Sequence, residues 1–258
     1  MGVLNATPDS FSDGGLHLRV DAARAAAEEM VAAGAAIIDI GGESTRPGAP
    51  VVAVEAELRR VLPIIEALQD LPVLLSVDTS QPVVIRESVA RGVAIINDVR
   101  ALTLPGALEA VASSRVAVCL MHMQGSPQTM QQQPAYRDVV AEVKAFLMRR
   151  VQDCAEAGIA PARIAIDPGF GFGKTLSHNL ALLRALPEFA ALGLPLLAGL
   201  SRKSMIGAIT GRPVTERLAG SITLAALAAE RGARIIRAHD VAQTVDALKL
   251  VAALRVEE

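Results

Sequence analysis

Two sets of side chains in this sequence have types suited to opposite chemistries. Asp78, Asn97 and Asp167 make an acidic, acceptor-rich set, each at or next to the end of an apolar run. A buried carboxylate accepts paired N–H donors from an amino-heterocycle, and an amide offers both a donor and an acceptor. Arg46, Arg202, Lys203, Arg237 and His239 make a cationic set. Arginine forks suit phosphate or carboxylate oxygens. Asn5, Asp9, Asp13, Glu43, Ser44, Thr45 and Thr79 stand at similar run ends and add polar groups. Any single acid has a plainer reading as a salt bridge or helix cap. That reading is preferred for Asp98 and Asp240, which each follow a stronger candidate by one position. For Asp78 and Asp167, at the ends of long apolar runs, a functional role is preferred.

Other chemistries find little support. Ser10, Ser44 and Ser201 have no evident His–acid relay. His17, His122, His178 and His239 are scattered, without the spacing of a zinc site, and His122 and His178 are read as satisfying local hydrogen bonds. A magnesium ion carried mainly by substrate phosphates and touching Asn5 is compatible with the sequence. DPGFGFGKT at 167–175 invites a phosphate-loop reading but lacks four residues between its first glycine and the Gly-Lys pair. Its glycines simply alternate, which suggests a backbone approaching a ligand closely between Phe170 and Phe172. With Phe11, three of the five phenylalanines occupy Gly-rich loops. They suit a flat ligand and equally suit packing of loops onto a rim.

Eight elements must position these groups. Apolar runs at 2–5, 36–39, 73–78, 94–98, 116–122, 164–167, 196–201 and 235–240 read as strands buried on both faces. Between them the spacing predicts helices at about 20–33, 54–68, 82–92, 107–113, 139–157, 176–189, 215–231 and 241–254. Eight strands alternating with helices predict an α/β fold, a single (β/α)8 TIM barrel, with chemistry at the carboxyl ends of the strands. The βα loops 1, 2, 6 and 7 are long and rich in Gly, Pro, Ser and Thr, and the Gln-rich segment 124–136 reads as a mobile loop.

The 258 residues match one such barrel, and no linker or composition shift divides them, so 1–258 is read as one domain. Met1 begins directly inside a strand, and a segment before strand one is expected to be missing. The net charge of −2, with no basic stripe, argues against nucleic acid as a partner. No apolar stretch is of membrane-spanning length and no signal peptide is visible, so a cytoplasmic protein is expected. Cys119 and Cys154 read as inert buried thiols.

The motifs then resemble a family. GVLNATPDSFSDGG at 2–15 and GGESTRPG at 41–48 are similar to the two signatures of the dihydropteroate synthases. SVDTS, IINDVR, CLMHMQG, DPGFGFGK, LSRKSMIG and IIRAHD continue the resemblance in family order over essentially the whole chain. It implies condensation of 6-hydroxymethyl-7,8-dihydropterin pyrophosphate with p-aminobenzoate, giving 7,8-dihydropteroate and pyrophosphate, with Mg²⁺ as cofactor. It implies a pterin site of Asp78, Asn97, Met121, Asp167 and Lys203, and a pyrophosphate site of Asn5, Arg46, Arg237 and His239, with the metal on Asn5. It implies a p-aminobenzoate site of Phe11, Thr45, Pro47, Phe170, Phe172 and Ser201. Catalysis would fall to Arg46, Lys203, Arg237 and His239, a homodimer is expected, and replacing Arg237 should harm turnover far more than folding. The rival with the same barrel is a methyltransferase acting on methyltetrahydrofolate, which has no need of the cations in ESTRPG and SRKS. A non-catalytic pterin-binding paralogue would be expected to lack Arg46, Lys203 or Arg237.

Overall fold

The computed structural model describes residues 1–6, 16–44, 48–49 and 52–255, apart from the side chains of 16–18. Its strands are β1 (Gly2–Asn5), β2 (Ile37–Gly41), β3 (Leu74–Asp78), β4 (Ile95–Asp98), β5 (Ala117–Met121), β6 (Ile164–Asp167), β7 (Leu197–Ala198) and β8 (Ile235–Ile236). The helices are α1 (Leu16–Ala32), α2 (Val54–Leu68), α3 (Pro82–Ala90), α4 (Ala107–Ala112) and α5 (Val139–Glu156). They continue with α6 (Leu176–Arg184), α7 (Leu186–Ala190), α8 (Ser204–Thr210), α9 (Leu218–Glu230) and α10 (Val241–Ala253).

β1 to β6 pair in parallel in chain order, and β7 pairs with β8. Single parallel bridges, Ile166 to Leu196 and Gly2 to Ala238, join these two sheets into a ring. At the second junction the Val3 amide donates to the Ala238 carbonyl at 3.1 Å and the Ala238 amide to the Met1 carbonyl at 2.9 Å. The fold is the expected (β/α)8 barrel.

Period-two alternation explains which side chains reach its interior. Ile38 and Ile40 on β2, Val77 on β3, Ile96 on β4 and Ile166 on β6 are fully buried and join the layer shared with the helices. Their neighbours Asp39, Ser76, Asp78, Asn97 and Asp167 therefore face the barrel axis. Register aligns them: Asn5 pairs with Gly41, Gly41 with Asp78, and Asp78 with Asn97. Asp98, on the outward face, is a structural lock as expected. It accepts from the Ser80 hydroxyl and from the amides of Arg100 and Leu102, at 2.8 and 2.7 Å for the amides.

The second half departs from the expected boundaries. β7 and β8 are two residues long: the chain turns at 201–202 after β7, and beyond Ile236 only a single bridge at Ala238 continues the pairing before the bend at 239–240. The helix expected at 176–189 breaks into α6 and α7, since Pro187 has no amide hydrogen with which to continue the ladder. α8 was not expected, and the helix expected at 215–231 begins instead as a 3₁₀ turn at Val214–Glu216 before α9. Segment 124–136 is fastened rather than free-standing. Tyr136 donates its hydroxyl to the Gly173 carbonyl at 2.8 Å, and the Gln124 amide ties back to Ala135.

Candidate active site

An open cleft of about 450 Å³, counting its mouth, lies at the carboxyl ends of the strands. Asp78, Asn97, Met121, Asp167, Phe170, Phe172, Ser201, Lys203, Arg237 and His239 all line it. These come from β3 to β6 and from the segments following β6, β7 and β8. Asn5 ends β1, paired in register with Gly41, and is not among the residues lining the cleft. Phe11, Thr45, Arg46 and Pro47 lie outside the described residues, as do Asp9, Ser10 and Asp13.

Arg237 joins the two chemistries. Its Nε donates to Asp39 Oδ2 at 2.7 Å and its Nη2 to Asp78 Oδ2 at 3.0 Å. Burial opposes its charge, but Asp39 and Asp78 together hold the guanidinium above its ordinary pKa. Burial raises the Asp78 carboxyl above the usual carboxylate range, Arg237 opposes the rise, and Asp39 adds to it. Asp167 is raised by burial too, although it accepts the Gly169 amide at 2.7 Å. A cation developing on a ligand between these two carboxyls would favour their ionised forms.

Lys203 reaches across the same cleft. Its ammonium donates to the Phe170 carbonyl at 2.8 Å and lies 4.2 Å from the centre of the Phe172 ring. Burial pulls it down to about 8, against the attraction of Asp167. His239 Nδ1 lies 3.1 Å from Ser201 Oγ, and burial with Arg237 nearby lowers its pKa to about 4. His239 is therefore uncharged near neutral pH. Arg202 does not join the cations. It adopts φ 58° and directs its guanidinium to Asp240, at 2.5 and 3.1 Å. Asp240 is thus the salt-bridge partner expected of it.

In the loop 168–174, Gly169 and Gly173 approach protein backbone, while Gly171 faces the Lys203 side chain. A Cβ on Gly169 (φ 70°) would stand 1.9 Å from the His122 carbonyl oxygen, and one on Gly173 (φ 63°) 2.5 Å from that of Gln124. Lys174, absent from the expected site, is the buried fastener. Its ammonium donates to the carbonyls of Gly169, Phe172 and His122 at 2.8, 2.9 and 3.2 Å, and lies 3.0 Å from His122 Nδ1. Burial and this ammonium hold His122 neutral, at about 3. His178 closes a capping box with Thr175. Both histidines thus have the local structural roles expected of them.

Asp39 was also missed. It is fully buried and accepts from Ser76 Oγ at 2.6 Å and Asn97 Nδ2 at 3.0 Å, besides Arg237. Its signal was present: an acid between isoleucines inside IIDIG, on the same period-two face as Gly41.

The model of the pterin binding enzyme family matches residues 1–239, and the chain belongs to that family. Dihydropteroate synthase of Escherichia coli strain K12 is 56% identical over 254 residues, which cover 98% of this chain and 90% of that one. Among solved structures, the Xanthomonas albilineans dihydropteroate synthase with 4-aminobenzoic acid superposes with a TM-score of 0.94. It is 53% identical, covering 100% of this chain and 93% of that one. The Burkholderia cenocepacia dihydropteroate synthase complexed with 7,8-dihydropteroate matches with a TM-score of 0.90. It is 50% identical, covering 99% and 90%. Within the family the chain falls among the dihydropteroate synthases, transferases of folate biosynthesis.

Proposed function

We propose that the chain joins 6-hydroxymethyl-7,8-dihydropterin pyrophosphate to p-aminobenzoate through the following division of labour. Asp78, Asn97 and Asp167 hold the pterin edge, Lys203 bridges to its ring, and Met121 lines the wall. Asn5, Arg46, Arg237 and His239 hold the diphosphate. Ser201 and Phe172 shape the p-aminobenzoate site, with Thr45, Pro47, Phe11 and Phe170. The observation that carries this reading is Arg237, an anion-binding fork anchored within hydrogen-bond reach of the pterin-edge carboxylate.

The reaction breaks the C–O bond between the pterin methylene and the diphosphate, and the electron pair leaves with the diphosphate. The aryl amine lone pair forms the new C–N bond, and the amine then loses a proton. The dihydropterin ring delocalises the positive charge left on the methylene, and the carboxyls of Asp78 and Asp167 favour that cation. The aryl amine is neutral near pH 7, so a strong base is unnecessary and positioning carries much of the rate. His239, neutral beforehand, offers a ring N–H to the departing diphosphate.

Among the described residues no group of acids, histidines or cysteines could hold a metal alone. The donor set fits Mg²⁺ only as an ion carried by the diphosphate, with the neutral amide oxygen of Asn5 as a protein ligand. Bound there, it would neutralise leaving-group charge. Mixing the protein with Mg²⁺, the pterin pyrophosphate and p-aminobenzoate should release pyrophosphate only when both substrates are present. Release that ignores p-aminobenzoate would refute the condensation.

A homodimer is proposed through α9 and α10. Leu218, Leu227 and Leu250 stand exposed on them, and Leu254 follows at 84% exposure. So much bare leucine on two adjacent helices suits a second copy. Sedimentation equilibrium at micromolar concentration should give twice the chain mass, and a monomer would refute the dimer. No helix among the described residues is long and apolar enough to cross a membrane. The free, buried Cys119 and Cys154 fit a reducing compartment such as the cytoplasm.

A further inference from the structure

We infer that Asp39 is a positioning residue that fixes the donor–acceptor polarity of Asn97 and the reach of Arg237, so that one buried carboxylate sets both halves of the site. The inference rests on the division of the site proposed above.

Its argument is one of hydrogen-bond capacity. An ionised carboxylate accepts only. Asp39 Oδ1 takes the Ser76 hydroxyl, and Oδ2 takes both Asn97 Nδ2 and Arg237 Nε. Asn97 must therefore turn its amide nitrogen toward Asp39, which leaves its carbonyl oxygen for the cleft. With Asp78 and Asp167, the heterocycle half then presents three acceptors, the complement of a pterin edge rich in N–H groups. An asparagine with no such neighbour could turn over and present donors to those same N–H groups. Holding Arg237 by Nε has a second consequence. The tip of the guanidinium can leave Asp78 for a diphosphate oxygen while the side chain stays tethered.

Asp39 is fully buried behind the cleft and is not among the residues lining it. Its effects on ligands must pass through Asn97 and Arg237. Asp39→Asn replaces an acceptor-only group with one that also carries a donor, so nothing any longer obliges Asn97 to face it with Nδ2. Where the new N–H faces Asn97, the amide turns over and presents N–H to the pterin.

The test measures affinities by titration calorimetry with two separate probes, 6-hydroxymethylpterin for one half and inorganic pyrophosphate with Mg²⁺ for the other. Asp39→Asn should weaken both by about ten-fold or more, the scale of an unmatched buried polar group. The double variant Asp39→Asn/Asn97→Asp should bring pterin affinity back to within a few-fold of the parent. The restored pair again turns an acceptor toward the cleft. A purely structural role would show as a lower melting temperature in both variants without this selective rescue. If Asp39→Asn folds poorly, Ser76→Ala serves instead. It removes one donor from Asp39 without touching a ligand and should weaken both probes by a few-fold. The inference is overturned if these variants leave both affinities unchanged, or if the double variant regains nothing. Asn97→Ala separates the two readings: if it leaves pterin binding intact, the assignment of the site has failed, not the role of Asp39.

Discussion

Arg237→Ala is expected to lower turnover by at least about 100-fold, the scale set by removing one preorganised donor from developing charge. It should also destabilise the fold, so the loss is not confined to turnover, although turnover is still expected to suffer more. In the sequence Arg237 is one more cation at a strand end. In the structure it lies between Asp39 and Asp78, both buried. Truncation leaves two carboxylates without their shared counter-ion, and breaking a buried pair from one side costs about 3–5 kcal/mol. The two effects separate in a second variant. Adding Asp39→Asn to Arg237→Ala removes one stranded charge and should recover part of the melting temperature, while turnover stays low because the diphosphate still lacks its fork. Arg237→Lys keeps the charge but has no planar fork to span Asp39 and Asp78, so it should fall between wild type and alanine in both readouts. Steady-state kinetics beside thermal melts would decide it. Normal turnover by Arg237→Ala would remove Arg237 from the mechanism, and an unchanged melting temperature would mean the acids are satisfied some other way.

What the sequence made legible was whatever obeys a local period. Asp78, Asn97 and Asp167 could be found because strand alternation and strand ends coincide at them. Asp98 and Asp240 could be set aside because they fall one residue out of that phase. Asp39 obeys the same alternation but stands inside its strand rather than at a loop, so a search of strand ends passed over it. Lys174 was illegible for another reason. Its partners are mostly backbone carbonyls, one from the loop after β5, and no residue type announces a carbonyl. The alternating glycines pointed to a close approach, and at Gly169 and Gly173 that approach is to the backbone following β5. Arg202 was grouped with Lys203 by adjacency, and its left-handed backbone sends the two side chains apart. α8 escaped because Gly207 and three β-branched residues weaken its helical signal. The glycine is kept there because a Cβ would stand 2.2 Å from the guanidinium of Arg217.

That buried ammonium leads to the second large effect. Lys174→Met should lower stability by about 2–4 kcal/mol, since three carbonyls and His122 Nδ1 lose their common donor inside the protein. The damage should reach the chemistry through geometry. Phe170 and Phe172 ride on the loop that Lys174 fastens, and Lys203 donates to Phe170 and lies over Phe172. A slack loop therefore misplaces a cleft-lining ammonium, and kcat/KM should fall by about ten-fold or more. The pH dependence has a definite sign. Burial lowers Lys174 from 10.5 to about 7, so the unfolded chain binds a proton there that the folded protein releases. Its contribution to stability is therefore complete above about pH 10.5 and is lost as pH falls through about 7. Methionine abolishes that titration. The stability gap between wild type and variant should widen as pH rises from about 7 to 9, measured by denaturant unfolding in matched buffers. A gap that is constant or narrows over that range would mean Lys174 stays charged throughout, and its role would be that of a fixed ion. No stability difference between wild type and variant at any pH, together with unchanged kcat/KM, would leave the loop to be held by its glycines and Tyr136 alone.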